Sequence, residues 1–157
     1  MIFTTKAEYG VRLLVELGKA QDGAGPAVPV PLKSIADSEQ LPLAYLERIV
    51  ALLKKGGFVE ATRGAHGGYR LAKPAEEIRM DDVVVALEGA VAPMSCFVDD
   101  RAGEGHGVLC SHHDDGELCA TRLLWTRVQG GVIKALQQTT LAELVAFTRR
   151  DSMLLTH

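Results

Sequence analysis

Three cysteines, Cys96, Cys110 and Cys119, fall in one polar stretch that also holds His106, His112 and His113, four glycines, and six acids against the single Arg101. The first twenty residues are broken by Lys6, Glu8, Arg12, Glu16 and Lys19, unlike a signal peptide, so a cytoplasmic protein is expected. No run approaches the roughly 20 apolar residues of a membrane span, so no membrane partner is expected. In a reducing compartment an odd number of cysteines argues against a disulfide framework and for metal, cluster or redox chemistry. Soft thiolates favour an iron-sulfur cluster, 2Fe-2S or 4Fe-4S, which needs a fourth ligand. Zinc in a Cys3His site is the alternative metal. Thiols that switch by oxidation are a third reading, against which the acids Asp99, Asp100, Glu104, Asp114, Asp115 and Glu117 count, because they raise a thiol pKa. A fourth is that Cys119 simply packs as a small hydrophobe. The gaps of thirteen and eight residues between the cysteines leave these alternatives open.

A second group of residues suits contact with a nucleic acid. Between 43 and 73 lie six Lys or Arg and two Glu, a local excess of +4 in a chain of net charge -3. Clustering of this kind, rather than the total, matters for phosphate contact. Ala44, Tyr45, Glu47 and Arg48 lie on the polar side of a helix; Glu47 could accept from a cytosine amino group and Arg48 could donate to guanine. Arg63, Gly64, Gly67, Gly68 and Tyr69 belong to a glycine-rich hairpin whose bare backbone can approach phosphates closely. Taken singly these are a solvated helix face and an ordinary turn; together they point to double-stranded DNA.

The elements that must position these groups can be counted. Leu46, Ile49, Val50 and Leu53 recur at helical spacing, with Pro42 at the start and Gly56-Gly57 at the stop, which predicts a helix from about Pro42 to Lys55. Upstream, Leu32 to Asp37 reads as a short helix and Glu39-Gln40-Leu41 as the turn. Downstream, Phe58 to Ala61 and Tyr69 to Leu71 read as the strands of a hairpin. Thr5-Lys6-Ala7-Glu8 has capping-box spacing and opens a first helix over 5–20. Gln21 to Pro31, with three prolines, is a loop; Ile78 to Leu87 is a short helix. A longer helix runs from Leu118 to about Gln138 with a seam of Trp125, Val128, Val132 and Leu136. Gly130-Gly131 weakens it by about 1 kcal/mol per glycine relative to alanine, which close packing against a partner helix would explain. Thr140-Leu141-Ala142-Glu143 looks like another capping box, opening a helix to Arg149. The expected fold is mainly α with a small β-hairpin wing: a winged helix-turn-helix over 1–75, then a helical region over 76–157 that contains the cysteine loop 96–119.

The opening Phe3-Thr4-Thr5-Lys6-Ala7-Glu8-Tyr9, the helix Leu43-Ala44-Tyr45-Leu46-Glu47-Arg48, the wing Arg63-Gly64-Ala65-His66-Gly67-Gly68-Tyr69 and the segment Cys119-Ala120-Thr121-Arg122-Leu123-Leu124-Trp125 resemble the IscR/NsrR/RirA-type, or Rrf-two, winged-helix regulators over nearly the whole chain. The resemblance implies a transcriptional regulator, a homodimer whose long C-terminal helix crosses its partner on a near-palindromic operator. It also implies an iron-sulfur cluster held by Cys96, Cys110 and Cys119. IscR-like members place a histidine in a Cys-x-x-His arrangement where this chain has Arg122. NsrR-like members use an acid on the first helix, supplied across the dimer, and the matching residue is Glu8. The capping-box spacing is the competing account of Glu8. The three cysteines are also more widely spaced than is usual for the family.

No Ser-His-Asp order, Walker loop or Rossmann fingerprint is present, and a mobile glycine-rich loop is a poor place to preorganise a Cys-His pair, so an enzyme is not expected. A winged-helix adaptor that binds another protein is the remaining alternative. It would lack the steep salt dependence that phosphate contacts impose.

Overall fold

The computed structural model describes residues 3–21, 28–91 and 120–154, and Cys96, Cys110 and Cys119 lie outside them. The described chain runs α1 (Thr5–Gln21), α2 (Leu32–Glu39), α3 (Leu43–Lys55), β1 (Val59–Thr62), β2 (Gly68–Leu71), a 3-10 turn (Ala75–Glu77), α4 (Met80–Glu88), α5 (Ala120–Gln138) and α6 (Leu141–Leu154). It is mainly helical, with one antiparallel hairpin pairing Val59 with Leu71 and Thr62 with Gly68.

Helix α1 lies at the centre because its inward face alternates leucine with small residues. Leu13, Leu14 and Leu17 are buried, while Gly10 and Gly18 let neighbours come close. A Cβ at Gly10 would lie 2.4 Å from Leu87 of α4, and one at Gly18 2.6 Å from Val145 of α6. Around this axis Ile35, Leu46, Ile49, Leu53, Ile78, Val83 and Leu141 close a single core. That core runs without a break across residues 75 and 76, since α4 and α6 both supply it. The chain returning from α5 is stitched into the body: the Met80 amide donates to Thr139 (3.0 Å) and the Leu141 amide to Ile78 (2.8 Å).

The stripe on α3 is buried as its spacing predicts. A Schellman turn ends that helix: the Gly57 amide donates to Lys54, the Phe58 amide to Leu53, and Gly57 takes φ 75°. Several boundaries move. Glu39 completes α2, and Gln40 alone makes the left-handed step (φ 53°, ψ 44°). Strand β1 sits one residue nearer the tip, with Phe58 taken into the core, and β2 keeps its end at Leu71 but begins one residue earlier, at Gly68. Helix α4 starts at Met80, after Arg79 bridges to Thr140. The box at Thr140 forms, with its amide donating to Glu143 (2.9 Å) and the Glu143 amide to its hydroxyl (3.4 Å), and α6 continues to Leu154.

The box at Thr5 does not form. Thr5 is already helical, Thr4 accepts the Lys6 amide on its hydroxyl (3.2 Å), and the carboxylate that closes the end comes from Glu88 on α4. Glu88 Oε1 accepts the Thr4 amide (3.2 Å), the Thr4 hydroxyl and the Ala7 amide (3.1 Å). Burial pushes this carboxyl up, but the hydrogen bonds from Thr4 and Ala7 with the Lys6 charge outweigh it and hold it below the usual carboxylate range.

Candidate nucleic-acid interface

Two short elements project what could meet DNA. On α3 the residues opposite the buried stripe, Ala44, Glu47, Arg48, Lys54 and Lys55, are exposed. Lys54 and Lys55 occupy the last turn, where their charge complements the negative end of the helix. Pro42 leads into the first turn, and α2 with the Gln40 step braces it from behind. The two helices and their tight joint make a helix-turn-helix, and the two-glycine turn leads straight into the hairpin.

At the hairpin tip Arg63, Gly64, Ala65 and His66 are all exposed. Gly64 has φ 116°, which L side chains rarely adopt, and a Cβ there would meet nothing within 4 Å. Its backbone is open to solvent and to an approaching chain. The Gly67 amide donates to Gly64 (2.9 Å), and a Cβ at Gly67 would sit 2.4 Å from the Thr62 carbonyl oxygen. The tip is therefore closed by its own backbone.

Three residues singled out in the sequence have other duties. Tyr45 is half-buried and packs edge-on against Tyr9, ring centroids 5.7 Å apart, rather than standing on the outer face. Gly68 is small because the chain before α2 lies on it: a Cβ would fall 2.5 Å from the Val30 carbonyl and 2.8 Å from the Pro31 nitrogen. Tyr69 exchanges both backbone hydrogen bonds with Val30 (2.8 Å each) and is half-buried against the core. Arg70, at the base of the wing, is paired with Glu60 across the hairpin. This leaves Arg48, Lys54, Lys55 and Arg63 as the exposed cations of the two elements.

Glu8 is the described member of the candidate metal set. With no capping box to hold it, its side chain is 61% exposed and lies 3.8 Å from Arg12 Nη1. An exposed carboxylate in a long surface ion pair can exchange that partner for a metal, and three thiolates with one carboxylate are a donor set that an iron-sulfur cluster accepts. Among the described residues no group of three or more His, Cys, Asp or Glu could hold a metal ion. Helix α5 packs on α4 and is tied there by Gln129, whose amide donates to the Val91 carbonyl (2.8 Å). Leu123 and Leu124 near its start are 60% and 55% exposed, and Cβ atoms at Gly130 and Gly131 would meet nothing within 4 Å. No helix among the described residues is long and apolar enough to cross a membrane.

The comparisons with known proteins agree with this architecture. The Rrf2 family model, described as iron-dependent transcriptional regulator, matches residues 3–147. Protein rrf2 of Nitratidesulfovibrio vulgaris is 34% identical over 145 residues, covering 92% of this chain and 87% of that protein. The regulator CymR of Bacillus subtilis is 34% identical over 148 residues, covering 94% and 92%. The solved structure of CymR, the global cysteine regulator of B. subtilis, superposes with TM-score 0.72 over 94% of this chain and 98% of that one. IscR of Cereibacter sphaeroides is 34% identical over 145 residues, covering 92% and 87%. These relatives are transcriptional regulators, not enzymes. On the matching family model and relatives aligned along nearly its whole length, the chain belongs to the Rrf2 family of DNA-binding transcriptional regulators.

Proposed function

We propose that this regulator acts in the cytoplasm as a homodimer, reads its operator with α3 and the wing, and senses iron-sulfur, iron, redox or nitric oxide status through an iron-sulfur cluster. Ala44, Glu47 and Arg48 address base edges, while Arg63 and the backbone of Gly64 and Gly67 meet phosphates. Cys96, Cys110 and Cys119 of one copy would hold the cluster, with Glu8 of the other copy as fourth ligand. When bound, the cluster supplies a redox-active, nitric-oxide-reactive centre whose loss frees that carboxylate. The observation that carries the sensor reading is Glu8 itself, exposed at 61% and used by no cap. The exposed leucines of α5 are the surface on which the second copy is expected.

The test is anaerobic purification with iron, sulfide, zinc and visible absorbance measured on one sample, followed by binding to a duplex selected from a random pool by the protein. Brown protein containing iron and sulfide supports the cluster, and Cys96→Ser, Cys110→Ser and Cys119→Ser should each abolish the colour. Arg63→Ala should lower the slope of log K against log salt by about 0.9, the value of one phosphate contact. Colourless protein with zinc, or with no metal after reconstitution, removes the cluster. A thiol-based sensor is the second reading, favoured by the likeness to CymR, a cysteine regulator. Binding insensitive to salt would favour a protein-binding adaptor.

A further inference from the structure

Between the end of α1, the 3-10 turn after the wing and α6 lies a cavity of about 510 Å3, whose lining among the described residues includes neither α3 nor Glu8. Its floor is apolar: Gly18, Leu71 and Val145 line it and are buried. Its wall is not. Gln21, the last residue of α1, lines the cavity, and its Oε1 is buried with no hydrogen-bond partner among the described residues. A buried carbonyl oxygen without a donor is uncommon and calls for a group that supplies one. Water could do so, but a single water takes up only about 30 Å3, a small part of this space. Two opposite charges complete the wall, Glu76 on the 3-10 turn and Arg149 on α6, both exposed at the mouth. A guanidinium carries five N–H donors in a planar fork that fits a carboxylate.

We propose that this cavity is an effector site for a free α-amino acid with an aliphatic side chain. The ammonium group donates to Gln21 Oε1 and faces Glu76, the carboxylate accepts from Arg149, and the side chain rests on the apolar floor. A dicarboxylate would meet Glu76, and a simple amine would leave Arg149 without an anion, so the paired charges select a zwitterion. Leu71 ends β2, and the turn that carries Glu76 follows it, so a molecule held by both charges ties α6 to the base of the wing. It thereby binds the operator-bound and the free protein unequally, and operator and amino acid change each other's Kd by the same factor. The inference rests on the wing as part of the reader and is independent of the cluster.

The test begins with thermal melts of metal-free full-length protein in L-alanine, L-valine, L-leucine or L-methionine, each beside its amide and its N-acetyl derivative. At about a hundred times its Kd, at least one of the four should raise the midpoint by about 5–10 °C, and neither blocked form should. Gln21→Leu, Glu76→Gln and Arg149→Gln each remove a partner of a charged group and should weaken binding by about tenfold or more. Ala146→Trp fills the mouth while keeping every polar group, and should abolish binding if one of those variants does not fold. Fluorescence anisotropy on the selected operator should then give a Kd changed about fivefold or more by the amino acid that binds. No shift with any of the four means that the cavity holds water alone, and overturns the proposal. So do equal shifts with the blocked forms, binding undiminished in Arg149→Gln and Ala146→Trp, or an operator Kd that ignores the bound amino acid. The melts involve neither cluster nor DNA, so protein that takes up no cluster defeats the cluster reading and leaves this site standing.

Discussion

Glu88→Ala asks how much of the fold depends on a cap supplied from another helix. The Glu88 carboxylate accepts hydrogen bonds from Thr4 and Ala7 at the open end of α1, lies 3.7 Å from Lys6 Nζ, and is 11% exposed. Losing a helix N-cap costs about 1 kcal/mol, and the charge facing the helix end contributes about 0.3–1 kcal/mol more. The partly exposed pair with Lys6 adds about 0–1 kcal/mol. The sum is roughly 2 kcal/mol, and at about 2–4 °C per kcal/mol for a chain of this length the midpoint should fall by about 4–8 °C. The carboxyl is held below its unfolded value, so its contribution is fully present above the unfolded pKa of about 4.3 and is lost as pH falls through the folded value. Calorimetric melts at one protein concentration should therefore show the full gap at about pH 7 and a smaller one at about pH 3.5. Glu88→Gln, which keeps an acceptor without the charge, should fall between. A drop below about 1 °C at neutral pH, or a gap indifferent to pH, would refute the argument.

Two further outcomes follow from packing. Gly68→Ala forces a methyl group against the Val30 and Pro31 backbone, at 2.5 and 2.8 Å before relaxation, and should cost about 1–3 kcal/mol in thermal unfolding while freeing the segment before α2 to protease. A melt equal to the wild type would mean that this segment does not rest on the wing. Leu124→Glu places a charge on the exposed start of α5 and should shift sedimentation from dimer to monomer; a variant that still sediments as a dimer would move the interface off this helix.

How much could be read in advance depended on whether the cause was local. The α3 stripe, Leu46 to Leu53, was readable because one period of one helix determines it, and the box at Thr140 because its two partners are three residues apart. The cap on α1 was not, since Glu88 comes from 84 residues away and nothing near Thr5 announces it. The Thr5 to Glu8 spacing pointed to the wrong box for that reason, and losing it is what leaves Glu8 exposed. Tyr45 is polar enough for a reading face, but Tyr9 on another helix draws it inward. Gly68 suited phosphate approach as well as it suits the Val30 backbone, and only the tertiary structure supplies that neighbour. The two hydrogen bonds that the Arg12 guanidinium donates to the Glu39 carboxylate and backbone carbonyl have no sequence signature, because they depend on how α1 crosses the end of α2.

The stitching of Thr139 and Leu141 to Met80 and Ile78 bears on how such proteins can be recombined. Leu141 and Val145 fill the same interior as Leu13 and Leu17, so a fragment ending near residue 75 would expose that interior and lose the strand-like bridge that fastens it. A graft meant to give this reading head a different sensor must keep both α4 and α6. Its splice points fall between Val91 and Ala120, because α4 before that stretch and α6 after it both supply the shared interior.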